Sequence, residues 1–264
     1  MPKTRFVDVR RFESIDSTNR YLLDEARAGA PEGVVAVADH QTAGRGRLGR
    51  TWEAPPGANL LVSMLLRPAI GSGERHLATT TVALAALDAI GVVDPSAARE
   101  ISIKWPNDLV ERSGRKLAGI LAESDLVSVG AAEGLPPPVV VGIGINVNWP
   151  ATDADLPPEL LGLAVSLRQI VGDPVDRDAL LHAFLRSLES RVVDLDSLEG
   201  RARLAEELAS RCSTIGTRVR VDLSDGSFEG TATGISPDGH LVVATGEATR
   251  TVVAGDVVHV RPGL

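Results

Sequence analysis

Between Gly44 and Trp52 the chain reads GRGRLGRTW, with three glycines and three arginines in its first seven residues. A glycine backbone admits a ligand closely because no Cβ stands in the way. Its amide groups can turn inward on an anion. Arg45, Arg47 and Arg50 add planar donor forks suited to phosphate or carboxylate. The stretch therefore reads as a loop that closes over something anionic. The lysines give a second signal. Only three of the 27 basic residues are lysine: Lys3, Lys104 and Lys116. An arginine fork cannot replace a compact ammonium at a tight site. In so arginine-biased a chain, Lys104 and Lys116, twelve residues apart, stand out as candidates for such a site.

Gly44-x-Gly46-x-x-Gly49 also matches the dinucleotide fingerprint, which requires a helix immediately after it. The residues that follow include Pro55, Pro56 and Gly57, which forbid that helix, so the dinucleotide reading fails. An ordinary basic surface loop would explain the arginines but not the glycine spacing.

The chain has 264 residues, 44% hydrophobic and 23% charged, the profile of a globular protein with one large domain or one large and one small. Its net charge of −8 excludes a whole-molecule basic footprint for nucleic acid. With Cys212 as the one cysteine there is neither a disulfide framework nor a cysteine-rich zinc site, and the five histidines show no metal-ligand spacing. No preformed metal site is expected. The charged N-terminal stretch does not resemble a signal peptide. The most apolar stretch, near Thr79–Val93, is interrupted by Asp88. The expectation is a cytoplasmic protein with no membrane segment.

The elements that would position these residues can be read in order. Phe6–Glu13 reads as a strand. Asp16-Ser17-Thr18-Asn19 opens a helix with Ser17 or Asp16 as N-cap, and Gly29 fits just past its end. That cluster either simply caps the helix or also presents hydroxyls and amides to a polar ligand. Strands follow at Val34–Ala38 and Asn59–Leu66, then a buried helix at Arg75–Ile90. Ile101–Trp105, Leu109–Glu111 and Lys116–Glu123 form an antiparallel meander, which would put Lys104 and Lys116 on neighbouring strands. Gly119 marks a bulge or a close approach. GAAEGLPPP at 130–138 reads as a loop. Val139–Asn148 is a strand whose Gly142 and Gly144 imply either a ligand or a crossing helix against the backbone. At period two, Asn146 and Asn148 share a face. A short helix near Ala164–Val171 and amphipathic helices at Arg177–Val193 and Glu199–Cys212 come next. From Thr214 onward, five short strands separated by glycine-containing turns suggest a small all-β barrel.

Taken together, DSTN (16–19), HQTAGRGRLGRTW (40–52), KWPNDL (104–109), GRKLAGILAE (114–123) and GIGINVN (142–148), in that order, make the chain resemble the biotin protein ligases over almost its whole length. The resemblance implies an α+β fold: a mixed sheet with helices, related to class II aminoacyl-tRNA synthetase cores, over residues 1–213. A Src-homology-3-like barrel over 214–264 would follow. The few residues before DSTN imply the short form, without the DNA-binding module that some members carry. The implied reaction joins biotin and ATP to give biotinoyl-AMP and pyrophosphate, with Mg2+ arriving on the ATP phosphates. Biotin then passes to a lysine of a biotin carboxyl carrier domain, of an acyl-CoA or pyruvate carboxylase.

By that resemblance Ser17, Thr18, Asn19, Gln41, Gly44, Arg45, Lys116 and Gly119 would contact biotin. Arg47, Arg50, Trp52, Asn107 and Asn146 would contact the nucleotide, with Trp52 on adenine. Lys116, Arg47 and Arg45 would carry the catalytic charge. Asp108 would position Lys116 and magnesium, or merely cap its turn. The rival readings are a lipoate–protein ligase and a non-catalytic sensor of biotin or nucleotide. Mutual repulsion of its arginines leads us to expect loop 44–57 to be poorly ordered until an anion arrives.

Overall fold

A computed structural model describes residues 4–124, 136–223, 226–246, 248–253 and 255–259. The loop expected at 130–138 lies mostly outside them. Among the described residues there are two sheets.

The larger sheet has seven strands in the order β1-β2-β3-β7-β6-β5-β4. They are β1 (Val9–Ile15), β2 (Val35–Gln41), β3 (Leu60–Leu66), β4 (Ile101–Lys104), β5 (Asp108–Glu111), β6 (Lys116–Glu123) and β7 (Val139–Ile145). β1 and β2 pair in parallel and every other pair is antiparallel, so the sheet is mixed. β1 starts later than its alternation suggested. Phe6 is nonetheless buried, which explains why it read as strand.

Helix α1 (Thr18–Arg27) supplies the parallel crossover from β1 to β2. Ser17 is its N-cap, Asp16 accepts the amide of Ser17, and Gly29 takes φ +89° beyond the end. Leu22 and Ala26 bury α1 against Val34, Ala36, Leu65 and Val140 on one face of the sheet. The opposite face carries α2 (His76–Val93), which packs on α5 (Arg177–Leu195), with α6 (Leu198–Arg211) beside them. α3 (Pro95–Glu100) and α4 (Leu167–Val171) are short connectors. α2 is long and apolar enough to cross a bilayer, but Leu77, Leu84, Leu87 and Ile90 are buried in the core.

Lys104 and Lys116 are not on neighbouring strands, as the meander suggested: β5 lies between β4 and β6. A meander places its first and third strands two positions apart, whatever their sequence spacing.

The C-terminal sheet is antiparallel with five strands, in the order β11-β10-β9-β8-β12. They are β8 (Arg218–Leu223), β9 (Gly226–Ile235), β10 (Leu241–Thr245), β11 (Ala248–Val252) and β12 (Asp256–His259). It joins the larger unit through a shared apolar core, in which Val219, Val221, Leu241 and Val257 cluster with residues of the larger unit such as Leu77, Ile103 and Leu208, and through polar contacts. The Trp105 amide donates to Thr214 Oγ1 at 3.1 Å and its indole donates to the Gly239 carbonyl at 3.3 Å. His76 hydrogen-bonds the Asp238 carbonyl and stacks on His240, with ring centroids 4.1 Å apart.

Candidate active site

The glycine–arginine stretch folds as a closed hairpin. Gly46 N donates to Arg50 O at 2.7 Å, Trp52 N donates to Gly44 O at 2.9 Å, and Arg45 bridges Thr51. A Cβ on Gly44 would lie 2.3 Å from the Trp52 carbonyl, so only glycine allows that crossing. The tip is a short 3-10 turn, Arg47–Gly49, with Leu48 at φ +57°. Repulsion among the arginines is relieved because each has its own acceptor. Arg45 reaches Glu123 at 3.2 Å and Arg50 reaches Asp256 at 2.8 Å. Arg47 donates to Asn107 Oδ1 at 3.1 Å and to the Gly255 carbonyl at 2.8 Å.

The hairpin covers a cavity whose floor is the middle of the sheet. Lining it are Ser17, Thr18, Asn19, Gln41, Arg45, Arg47, Trp52, Asn107, Lys116 and Gly119, so ten of the expected residues meet in one place. At one end sits a polar network that runs out to the Glu123 carboxylate. Gln41 Oε1 accepts from Thr18 N at 2.8 Å and from Thr18 Oγ1 at 3.0 Å. Thr18 Oγ1 lies 2.7 Å from Ser63 Oγ, which donates to Asn19 Oδ1 at 2.6 Å. Asn19 Nδ2 donates to Glu123 at 2.8 Å and to the Leu121 carbonyl at 3.1 Å. Gly142 makes room for this network, since a Cβ there would meet Asn19 Oδ1 at 2.1 Å.

Two residues further along β7, roughly 7 Å in an extended strand, the chemistry changes. The Trp52 indole lies on Gly144, where a Cβ would sit 2.6 Å from the ring, and 3.1 Å from a Cβ on Gly119. Lys116 Nζ is 5.4 Å from the indole centroid and pairs with Asp108 at 2.8 Å. The indole N–H is buried with no acceptor among the described residues, so a ligand acceptor would relieve its desolvation cost. Between the two ends the wall is the Leu121 side chain and the backbone of β3, β6 and β7; the side chains of Val62, Ile120 and Ile143 turn to the opposite face, into the core under α2. The cavity thus suits a ligand that is polar at one end and anionic at the other.

Four expected residues do not line this cavity. Gly44 shapes the hairpin, Arg50 faces the C-terminal sheet, and Asp108 stands behind Lys116. Asn146 is buried beyond the end of β7. It accepts from Asn59 Nδ2 and donates to the Val165 carbonyl at 3.1 Å, cross-linking backbone segments. Asn148 does the same with Val175. Sequence reasoning missed Ser63 and Glu123. Ser63 had a signal, as the one polar residue in the apolar run Leu60–Leu66. Glu123 had none, being an ordinary acid at a strand end.

Residues 11–146 match the model of the biotin/lipoate A/B protein ligase family, and residues 214–260 match that of the biotin protein ligase C-terminal domain. The chain belongs to this ligase family. A Mycobacterium tuberculosis biotin–[acetyl-CoA-carboxylase] ligase is 39% identical over 93% of this chain and 86% of its own length. A bifunctional ligase/repressor BirA of Bacillus subtilis is 35% identical over 92% of this chain and 71% of its own. Among solved structures, an Aquifex aeolicus biotin protein ligase in complex with biotin and ATP superposes with TM-score 0.80 at 26% identity. That match covers 97% of this chain and all of the other. The ligase assignment gives the two ends of the cavity a common purpose, since a ligase must hold two substrates with their reacting groups together.

Proposed function

We propose that this chain is an ATP-dependent biotin–protein ligase that forms biotinoyl-AMP and pyrophosphate, then transfers biotin to a lysine of a biotin carboxyl carrier domain. The observation that carries the reading is the polarity gradient of the cavity. Thr18, Asn19, Gln41 and Ser63 offer donors and acceptors to a neutral ureido ring. Leu121 and the Trp52 ring border an alkyl chain, and Lys116 meets its carboxylate.

Lys116 and Arg47 bring positive charge to where the carboxylate oxygen bonds to the α-phosphorus, so that two anions can approach. Asp108 holds the Lys116 ammonium toward the site. No enzyme nucleophile is required, because the substrate carboxylate attacks. In the second half-reaction the carrier amine adds to the mixed anhydride and AMP leaves. ATP enters as its magnesium complex. Trp52 contributes a flat apolar surface on the wall, and Asn107 fixes Arg47. Arg45 and Arg50 hold the hairpin against Glu123 and Asp256 and become available to substrate when it opens.

Several finer readings belong to this proposal. They are a domain boundary near residue 213, a Src-homology-3-like barrel for the C-terminal sheet, and kinship of the core with class II aminoacyl-tRNA synthetases. An acyl-CoA or pyruvate carboxylase as carrier and a cytoplasmic location complete them.

Magnesium-dependent pyrophosphate–ATP exchange tests the reading with biotin, with lipoate and with neither. Exchange with biotin alone is expected. Exchange with lipoate instead would make the chain a lipoate ligase, and biotin binding without exchange would make it a sensor.

A further inference from the structure

Lys116 stands where β6 runs past the end of β7. The two strands pair through Ala118 and Ile145, and Asn146 N still donates to the Leu117 carbonyl at 2.9 Å. Lys116, one residue nearer the start of β6, lies beyond that register. Residues 163–165 take the place of β7 beside it, in a single parallel bridge. Lys116 N donates to the Leu163 carbonyl at 2.7 Å, and Val165 N donates to the Lys116 carbonyl at 3.0 Å. On this edge, the residue that carries the ammonium is held by a segment outside the sheet.

Two buried asparagines fix that segment. Asn146 Nδ2 donates to the Val165 carbonyl at 3.1 Å and to the Lys116 carbonyl at 3.4 Å, and its Oδ1 accepts from Asn59 Nδ2 at 3.2 Å. Asn59, just before β3, is 1% exposed and is itself oriented. Its Oδ1 accepts Val147 N at 3.0 Å and Trp149 N at 3.2 Å. A carboxamide has one donor end and one acceptor end. The two amides received by Asn59 Oδ1 therefore turn its Nδ2 to Asn146. The donation received there turns Asn146 Nδ2 to the Lys116 and Val165 carbonyls. A reversed Asn146 would set its oxygen against two carbonyl oxygens. Neither asparagine lines the cavity, so this chain of orientation ends on the Lys116 backbone. From that backbone the side chain runs to an Nζ 2.8 Å from Asp108.

We propose that Asn59 is a positioning residue for the ligase reaction. Through the Asn146 carboxamide it fixes the backbone of Lys116, and with it the direction from which the ammonium meets the substrate carboxylate. The proposal rests on the ligase reading and adds a residue that does not line the substrate cavity. A misplacement of about 1 Å at a reacting group can cost about a hundredfold in rate, so such an anchor matters. The network of Thr18, Gln41, Ser63 and Asn19 shares no hydrogen bond with the asparagine pair. Loss of Asn59 should therefore reach the chemistry and spare the recognition of biotin's ring.

The test is a double-mutant cycle on biotin-dependent pyrophosphate–ATP exchange, with Asn59→Asp, Lys116→Ala and the two combined. Asn59→Asp keeps an acceptor for Val147 N and Trp149 N, and its carboxylate has no donor for Asn146. Its maximal exchange rate should fall roughly tenfold to a hundredfold, with the biotin KM within about twofold of the wild type. In the Lys116→Ala background the same substitution should cost less than about twofold, because the group it positions is gone. A loss of equal size in both backgrounds overturns the proposal, as does an unchanged rate in Asn59→Asp. Asn59→Ser, one bond shorter, takes its place if that variant does not fold. If the wild type shows no biotin-dependent exchange, the ligase reading falls. The positioning is then read from Lys116 itself, by acetylation with dilute acetic anhydride and peptide mass analysis, with Lys104 as the internal reference. Faster labelling of Lys116 in Asn59→Asp sustains the positioning; equal or slower labelling overturns it.

Discussion

At the scale of single residues, the site depends on a few side chains that do little for the fold. Lys116 is about one-third exposed, and its Nζ meets the Asp108 carboxylate and the Trp52 ring. Lys116→Ala should cost roughly two to three orders of magnitude in turnover, while the melting temperature hardly moves. Equal losses of activity and stability would refute a transition-state role. Arg47 lies across the mouth of the cavity, anchored to Asn107 and Gly255. Its replacement by glycine should let biotinoyl-AMP escape, so a streptavidin blot of a bystander protein should darken. Lost activity with no stray labelling would contradict this. The glycines test the cavity floor. An alanine methyl at position 144 would stand 2.6 Å from the Trp52 indole and force the ring to move. Gly144→Ala should therefore weaken biotin binding while leaving far-UV circular dichroism unchanged.

At the scale of elements, α1 and the hairpin do the positioning. α1 presents Thr18 and Asn19 from its first turn, and Leu22 holds it to the sheet with no exposed surface. Leu22→Ala should cost about 3 kcal/mol of stability and also raise the biotin KM, because the helix that carries the polar network loosens. Denaturant unfolding alongside kinetics checks both. The hairpin is tied at its far side by Asp256. Asp256→Ala should speed tryptic cleavage at Arg45, Arg47 and Arg50, and biotin with ATP should restore protection. Repulsion among the arginines favours a loose loop, and acceptors supplied by β6, the β4–β5 turn and β12 oppose it.

At the scale of the molecule, the C-terminal sheet meets the larger unit along a histidine-rich seam beside a shared apolar core. His76 stacks on His240 and bonds the Asp238 carbonyl, while His259 meets Thr214 Oγ1 and lies near Lys104. Burial pushes the His76 and His259 imidazoles down, aided by His240 and Lys104 respectively. An unfolded histidine titrates near about 6.5, so just below that pH the unfolded chain binds more protons than the folded one. Stability therefore rises with pH through this window. The contribution is complete above about 6.5 and drains away as pH falls toward the folded values. Denaturation midpoints at successive pH values should decline on acidification, and the His76→Gln, His259→Gln double variant should show a flatter profile. An unchanged slope would show that the seam does not titrate.

Much of the site was legible in the sequence because its residue types are chemically restrictive. Only glycine crosses another backbone as Gly44 crosses Trp52, a serine before an amphipathic run caps a helix, and a rare lysine in an arginine-rich chain marks a compact charge. The individual helices and strands also followed from local periodicity, which backbone geometry imposes within a few residues, whereas the mixed sheet was only what the family resemblance implied. What the tertiary structure decided is who faces whom. The sequence offered a ligand or a helix against Gly142 and Gly144; the structure places the side chains of Asn19 and Trp52 there, more than ninety positions away for Gly144. It separates Lys104 from Lys116 by a strand and turns Asn146 into a backbone cross-link. These facts depend on strand order and on the docking of two sheets. Local spacing cannot encode them, because a strand's period sets which face a side chain occupies but not which strand lies beside it.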